Sequence, residues 1–398
     1  MKAFLFAFCL VLLLVSAAQA ADSLNVRLVG SCDTPGLAYG VAVRSNYAFI
    51  ADWSSGLRVI SVADPAHPTE IGHTDTPDSA ARVTVSGNYA YVVGVQAGLR
   101  VISIADPAHP IEVGSYNTPG LAYSVAVAGN YAYVADIDSG LWVISITDPA
   151  HPTKVGHWQA PGMAFGIAAA GHFVYVNDAF YGLRVVSVAD PADPYEVGHN
   201  DSVGFMGVAV AGGHAYVGSN TAGLFVVSLA DSAHPAAVGW CNTHEPIGSV
   251  TVDDYAYTIG GSWLEVFSVS DPAHPSTVGH YYRSSWSARG LAVSGDYIYV
   301  ATDSGLSVCQ RYDAGVEEAT SAELRTTEPG PTVVRGVLML GAVDRRRQAA
   351  DRAELLNTTG RKVMDLRAGA NDVSLLAPGV YFVSERPAGS VRRVIVAR

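Results

Sequence analysis

Charge is scarce in this chain. Of its 398 residues, 15% are Asp, Glu, Lys or Arg, against about a quarter in an ordinary globular protein. Basic residues are the scarcer kind, 24 against 36 acidic, for a formal net charge of −12. That balance excludes a nucleic-acid backbone as the main partner. So little charge beside 49% apolar residues also excludes intrinsic disorder, a coiled coil and a simple helical bundle. Cysteine is rare, four in all; Cys9 lies inside an apolar run and not after it, which argues against a lipid anchor. Beyond residue 20 no apolar run reaches the length of a membrane helix. Catalytic motifs are missing too: there is no Gly-x-Ser-x-Gly, His-Glu-x-x-His, Gly-rich phosphate loop or Cys-x-x-Cys.

What the chain has is turns, with 40 Gly and 20 Pro, and two unusual ends. Lys2, the apolar run Phe4 to Val15 and the small residues Ala18-Gln19-Ala20 read as a signal peptide over 1–20, so the mature protein is expected to start at Ala21 and to be exported. From Ala319 to Arg398 there are 13 basic and 8 acidic residues, net +5, whereas the preceding part holds 11 and 28, net −17. The polar, Pro- and Gly-containing stretch Val316–Thr332 reads as a linker. The expected organisation is therefore a main domain over 21–315, a linker over 316–332 and a second domain over 333–398.

The main domain repeats itself. The Asp opening Asp-Pro-Ala-His-Pro or a variant recurs at Asp64, Asp106, Asp148, Asp190, Asp231 and Asp271, spaced 42, 42, 42, 41 and 40 residues apart. A Leu introducing an apolar strand recurs seven times, at Leu57, Leu99, Leu141, Leu183, Leu224, Leu264 and Leu306. Each unit reads as four strands, in the first Tyr39–Val43, Tyr47–Asp52, Leu57–Ala63 and Thr69–Asp75. Alternation such as Tyr131-Ala-Tyr-Val-Ala-Asp136 gives the period of two, Gly-Asn pairs suit tight hairpins, and each Pro fixes φ and removes a ladder donor. Four strands per 40–42 residues, seven times, predicts an all-β seven-bladed propeller, with an open β-solenoid as the alternative. Arg27–Pro35 copies the fourth strand Thr69–Pro77, while the seventh unit stops after its third strand. The N-terminal strand is thus expected to complete the last blade and close the ring. By repeat alignment Cys32 matches Thr74 and Cys309 matches Ile60, placed about symmetrically around the turn. This leaves two readings, a Cys32–Cys309 disulfide locking the closure or two buried thiols; Cys241 is expected to be free.

Gly56-Leu-Arg-Val-Ile-Ser-Val-Ala-Asp-Pro65 and its copies, with Tyr131–Val134 and Glu112-Val113-Gly114, resemble the LVIVD-repeat family of bacterial surface and secreted propeller proteins, over roughly residues 24 to 312. The sixth unit departs most, with Ser262-Trp263-Leu264-Glu265. The resemblance implies a fold and an extracellular setting without an assigned chemistry. In the C-terminal region, Ala353–Val363, Leu376–Val383 and the basic strand Val391–Arg398 resemble the sorting domain of the type IX secretion system. That resemblance implies a small immunoglobulin-like β-sandwich read by secretion machinery and used for export or surface attachment. Asn357-Thr358-Thr359 departs from the usual acidic residue there. Independently, Gly360 and Pro378-Gly379 read as turns between short strands.

The His residues of the repeated turns (His67, His109, His151, His234 and His274) fall on different blades at the outer edge, so they cannot converge on one metal. The remaining candidate is the channel mouth. Residues entering the first strands there are Tyr39, Ala81, Tyr123, Phe165, Met206, Gly248 and Arg289; nearby turns add Asp52, Trp53, Asp136, Asp138, Asp178, Phe180, Tyr181 and Trp263. Exposed aromatics beside carboxylates suit a glycan, peptide or protein ligand; the same rings could instead plug the inner ring. The favoured function is a non-enzymatic ligand-binding platform, monomeric and needing no cofactor. A polysaccharide hydrolase or lyase using Asp136, Asp138 and Asp178 is the alternative, and a calcium-stabilised module ranks last.

Overall fold

The structure, a computed structural model, describes residues 23–204, 207–219 and 223–312, together with the strands of the C-terminal region between 332 and 396. The expected signal peptide and all but the last residue of the expected linker lie outside the described residues.

The first blade shows how the repeat folds. It consists of β3 (Gly40–Arg44), β4 (Tyr47–Ala51), β5 (Leu57–Ser61) and β6 (Thr69–Thr74), antiparallel and in chain order. The second and third strands are buried on both faces, as their continuous apolar sequence requires. The fourth is mostly exposed, with Gly72 as its buried residue. Six such four-stranded units follow, making seven blades. Every first strand touches the first strands of its neighbours, and that of the seventh blade, Ala288–Ser294, returns to β3. The ring is closed.

The core is a set of layers between blades. In one of them Tyr91, Val93, Leu99 and Val101 of the second blade pack on Val125, Val134, Trp142 and Ile144 of the third. The inner tyrosines Tyr91, Tyr133, Tyr175 and Tyr299 are nearly fully buried, and this burial raises the pKa of each phenol. Two repeated motifs join to hold one blade to the next. A buried or half-buried Gly of six outer strands faces the backbone carbonyls of the following blade's Asp-Pro-x-x-Pro-type turn: Gly30 on Pro65, Gly72 on Pro107, Gly114 on Pro149, Gly156 on Pro191, Gly198 on Ser232 and Gly239 on Pro272. A Cβ at any of them would enter that carbonyl, so the position needs Gly for close approach.

The N-terminal segment closes the ring as expected. β2 (Val26–Asp33) is the fourth strand of the seventh blade. Just before it, β1 (Ser23–Leu24) adds a fifth strand to the sixth blade, pairing Ser23 with Tyr281 and Leu24 with His280. Asn25 makes the step between the blades with φ 54°, and its Nδ2 donates to Val278 O at 2.7 Å. The seventh blade has no Asp-Pro turn to cover Gly279, and Leu24 O and Val26 cover it instead.

The disulfide reading is corrected. Cys32 and Cys309 are both free thiols. The Asp-Pro turn is asymmetric: Ser61 pairs with Thr69, a bulge follows between Val59 and Ile60, and Thr74 faces Leu57. In that register Cys32 faces Leu306, three residues from Cys309, and Thr34 N donates to Ser304 O at 3.2 Å accordingly. Cys309 is buried with Tyr281 and Trp286, whereas Cys32 packs on the layer shared with the first blade. Burial pushes both thiols above their ordinary pKa.

The chain divides into two units at Gln310/Arg311. In the second, Thr332–Val334 pairs in parallel with Val391–Val396, which continues through Gly379–Glu385 and Ala353–Leu356 to Lys362–Leu366. Val337–Leu340 and Gly369–Asp372 form a separate antiparallel pair.

Candidate functional site

Three of the expected mouth carboxylates have structural partners. Asp136 and Asp178 end second strands, their counterpart Asp52 directly follows one, and all three are fully buried. Each reaches back to the loop that enters its own blade. Asp52 accepts from Thr34 Oγ1 (2.6 Å) and Gly36 N (2.8 Å). Asp136 accepts from Gly120 N (2.9 Å). Asp178 accepts from Gly162 N (2.7 Å), Phe180 N (3.0 Å) and Tyr181 N (3.1 Å). Burial raises the pKa of Asp52, opposed by the bonds from Thr34 and Gly36 and by Arg58 nearby. Asp138 alone of the three proposed acid–base residues is exposed.

The aromatic candidates meet across blades. Tyr39 stacks on Trp53 with centroids 4.3 Å apart and planes 27° from parallel. Trp53 has φ 47°, a left-handed conformation costly for a bulky residue, held by paired backbone bonds to Ala80 at 3.2 and 2.9 Å. The Arg289 guanidinium lies 4.4 Å from the Tyr39 ring and is fixed by Asp303 at 2.8 Å. Tyr39 O accepts from Arg82 Nη1 at 2.8 Å, Arg82 lies 5.0 Å from the Tyr123 ring, and Tyr123 meets Phe165 edge to face at 5.1 Å. A continuous belt therefore runs from the seventh blade through the first, second and third to the fourth.

The first strands and the residues entering them line the channel, among them Gly40, Arg82, Ser124, Gly166, Gly207, Ser249 and Gly290. With Tyr123 and Phe165 among its walls, the space is about 190 Å³.

The other candidates stand apart from the belt. Trp263 stacks on His244 at 3.9 Å and 8°, with His280 and Tyr282 beside it. His244 Nδ1 lies 2.8 Å from Oε1 of the buried Glu265. Glu265 stands where other blades place Arg58, Arg100 and Arg184, which pair with Glu70, Glu112 and Glu196. Tyr181 is exposed under the Arg184 guanidinium, and Phe180 is the most exposed large apolar residue among the described residues, at 70%. Met206 lies outside the described residues. At the outer edge, each turn His contacts the Asp three residues before it, with 2.9 Å from His67 Nδ1 to Asp64 Oδ2 and the same in four other copies. Among the described residues no group of three or more His, Cys, Asp or Glu is arranged to hold a metal ion.

Sequence reasoning missed Arg82 and Asp303. The signal for Arg82 was present in the repeat alignment, where it interrupts a column otherwise made of Gly and Ser. Asp303 carried none, because its role depends on where Arg289 turns.

Comparison with known proteins agrees with this architecture. The profile of the family described as LVIVD repeat matches residues 35–76, 77–118, 119–159, 161–201, 205–243 and 287–309, more than half of the chain. The sixth blade, where Ser262-Trp263 replaces Gly-Leu, falls in the gap. No curated protein matches the chain. Among solved structures, the crystal structure of the computationally designed Ika8 protein is similar, with a TM-score of 0.54 at 8% identity over 69% of this chain and 83% of that one. At that identity the likeness concerns the fold.

Proposed function

The chain belongs to the LVIVD repeat family, and on that premise we propose that its propeller is a non-enzymatic ligand-binding platform whose site is the channel mouth. The observation that carries this reading is the belt from Arg289 to Phe165, in which a tryptophan is held in a disfavoured backbone conformation against Tyr39. Strain of ~1–3 kcal/mol at one residue collects where function needs a side chain placed, and packing alone would accept a residue of ordinary φ. The use of Asp136 and Asp178 as acceptors for loop amides supports binding over acid–base chemistry, because it leaves Asp138 without an evident partner acid. The N-terminal twenty residues and the basic C-terminal region support export and surface attachment of this platform, which fractionation of the producing cells tests.

The binding reading is tested on a glycan and peptide array with the full chain beside a Tyr123→Ala/Phe165→Ala variant. Binding that the variant loses supports the mouth as the site. Binding that the variant keeps, or no binding by a folded protein, overturns it.

A further inference from the structure

Arg82 differs from four other arginines of the ring in what surrounds it. Arg58, Arg100, Arg184 and Arg289 each have a carboxylate within 2.8 to 3.4 Å. Among the described residues no carboxylate pairs with Arg82, although it is the one charged side chain lining the channel. Its Nη1 is held by two carbonyls, Tyr39 O at 2.8 Å and Ala81 O at 2.9 Å, and its face lies over Tyr123. Nε and Nη2 have no acceptor among the described residues. A guanidinium drawn partly out of water without a counter-ion is costly, and a carboxylate presented to its free edge would form the strong, paired kind of hydrogen bond.

The dimensions limit what enters. About 190 Å³ is less than a pocket for a whole drug-sized ligand. An end group fits in the channel while the rest of the ligand lies on the rings above. Those rings favour a sugar: Trp53, stacked on Tyr39, and the Tyr123–Phe165 pair are half-exposed aromatic surface at the mouth, to which the C–H face of a pyranose is complementary through the ring quadrupole. Charge limits the ligand further. The chain before Ala319 has a net charge of −17, which repels polyanions at long range.

We propose that the mouth binds an oligosaccharide ending in a single uronic acid, with its carboxylate on Arg82 and its neutral rings on the belt. This rests on the binding reading above and names its ligand class. The test is an array of neutral oligosaccharides each carrying one terminal uronic acid, printed beside their methyl esters, polyuronates and acidic peptides. Wild type, Arg82→Gln and Arg82→Lys full chains are compared, with thermal melting to establish folding. At least one acid is expected to bind tenfold or more tightly than its ester. Arg82→Gln should abolish that preference, Arg82→Lys should keep part of it, and added salt should weaken the acid alone. Equal binding of acid and ester, or a preference that survives in Arg82→Gln, overturns the uronate assignment while leaving the mouth as a binding site. Acidic peptides bound in place of the glycans, in an Arg82-dependent way, overturn the sugar. If nothing binds to a folded wild type, both readings fall.

Discussion

Aspartate does different work at different positions of the repeat, and burial decides which. Asp178 is buried and serves three amides; removing it leaves buried donors unpaired. Asp178→Ala is expected to lower the stability of the propeller by about 3 kcal/mol, since bonds to a charged acceptor contribute about 1.5–3 kcal/mol each and do not add fully; denaturant unfolding measures it. The turn aspartates are exposed, and the hydrogen bond from His67 is the main cause that holds the Asp64 pKa below its ordinary 3.8. A lowered folded-state value means stability that is complete above pH 3.8 and lost as pH falls through the folded value. Asp52 has the opposite sign, because a raised value penalises the fold as pH rises above 3.8. In His67→Ala the Asp64 carboxyl should titrate at a higher pH than in wild type while Asp106 stays unchanged, as read by NMR. An unchanged Asp64 would contradict the turn's hydrogen bond.

At the scale of strands, the two most repeated motifs explain each other. Glu-Val-Gly supplies a strand residue without a side chain, and Asp-Pro-Ala-His-Pro supplies the carbonyl that fills the space. Gly114→Val should therefore destabilise by about 1–3 kcal/mol through overpacking. Gly87→Ala, in a hairpin with φ 54° and open space around it, should cost about 1–2 kcal/mol from the left-handed conformation alone; paired denaturant curves separate the two. The strands themselves were legible because alternation and Gly-Asn turns are local signals. The register across the Asp-Pro turn was not: Ser61 pairs with Thr69 and a bulge follows, a lean that counting from the turn's centre cannot reveal. β1 was equally hidden, as two residues have no period to read and their pairing depends on a blade some 250 residues away.

The whole molecule depends on its first described residues. They complete the seventh blade and cover the open side of the sixth, so deletion of residues 21–33 should expose both edges. One cooperative thermal transition is expected to give way to a lower, broader one with concentration-dependent aggregation; an unchanged transition would mean that the ring needs no closure. Closure was legible from the duplicated strand Arg27–Pro35. The site was legible only in part. Tyr39, Trp53, Tyr123, Phe165 and Arg289 could be placed at the mouth from repeat positions, but Asp136 and Asp178 turned inward because the loop amides beside them needed acceptors. Hydroxyl-radical footprinting of the full chain, with and without its best array ligand, tests the central claim most directly. The account predicts protection of Tyr39, Trp53, Tyr123 and Phe165; protection confined to the outer turns or to the C-terminal region would contradict it.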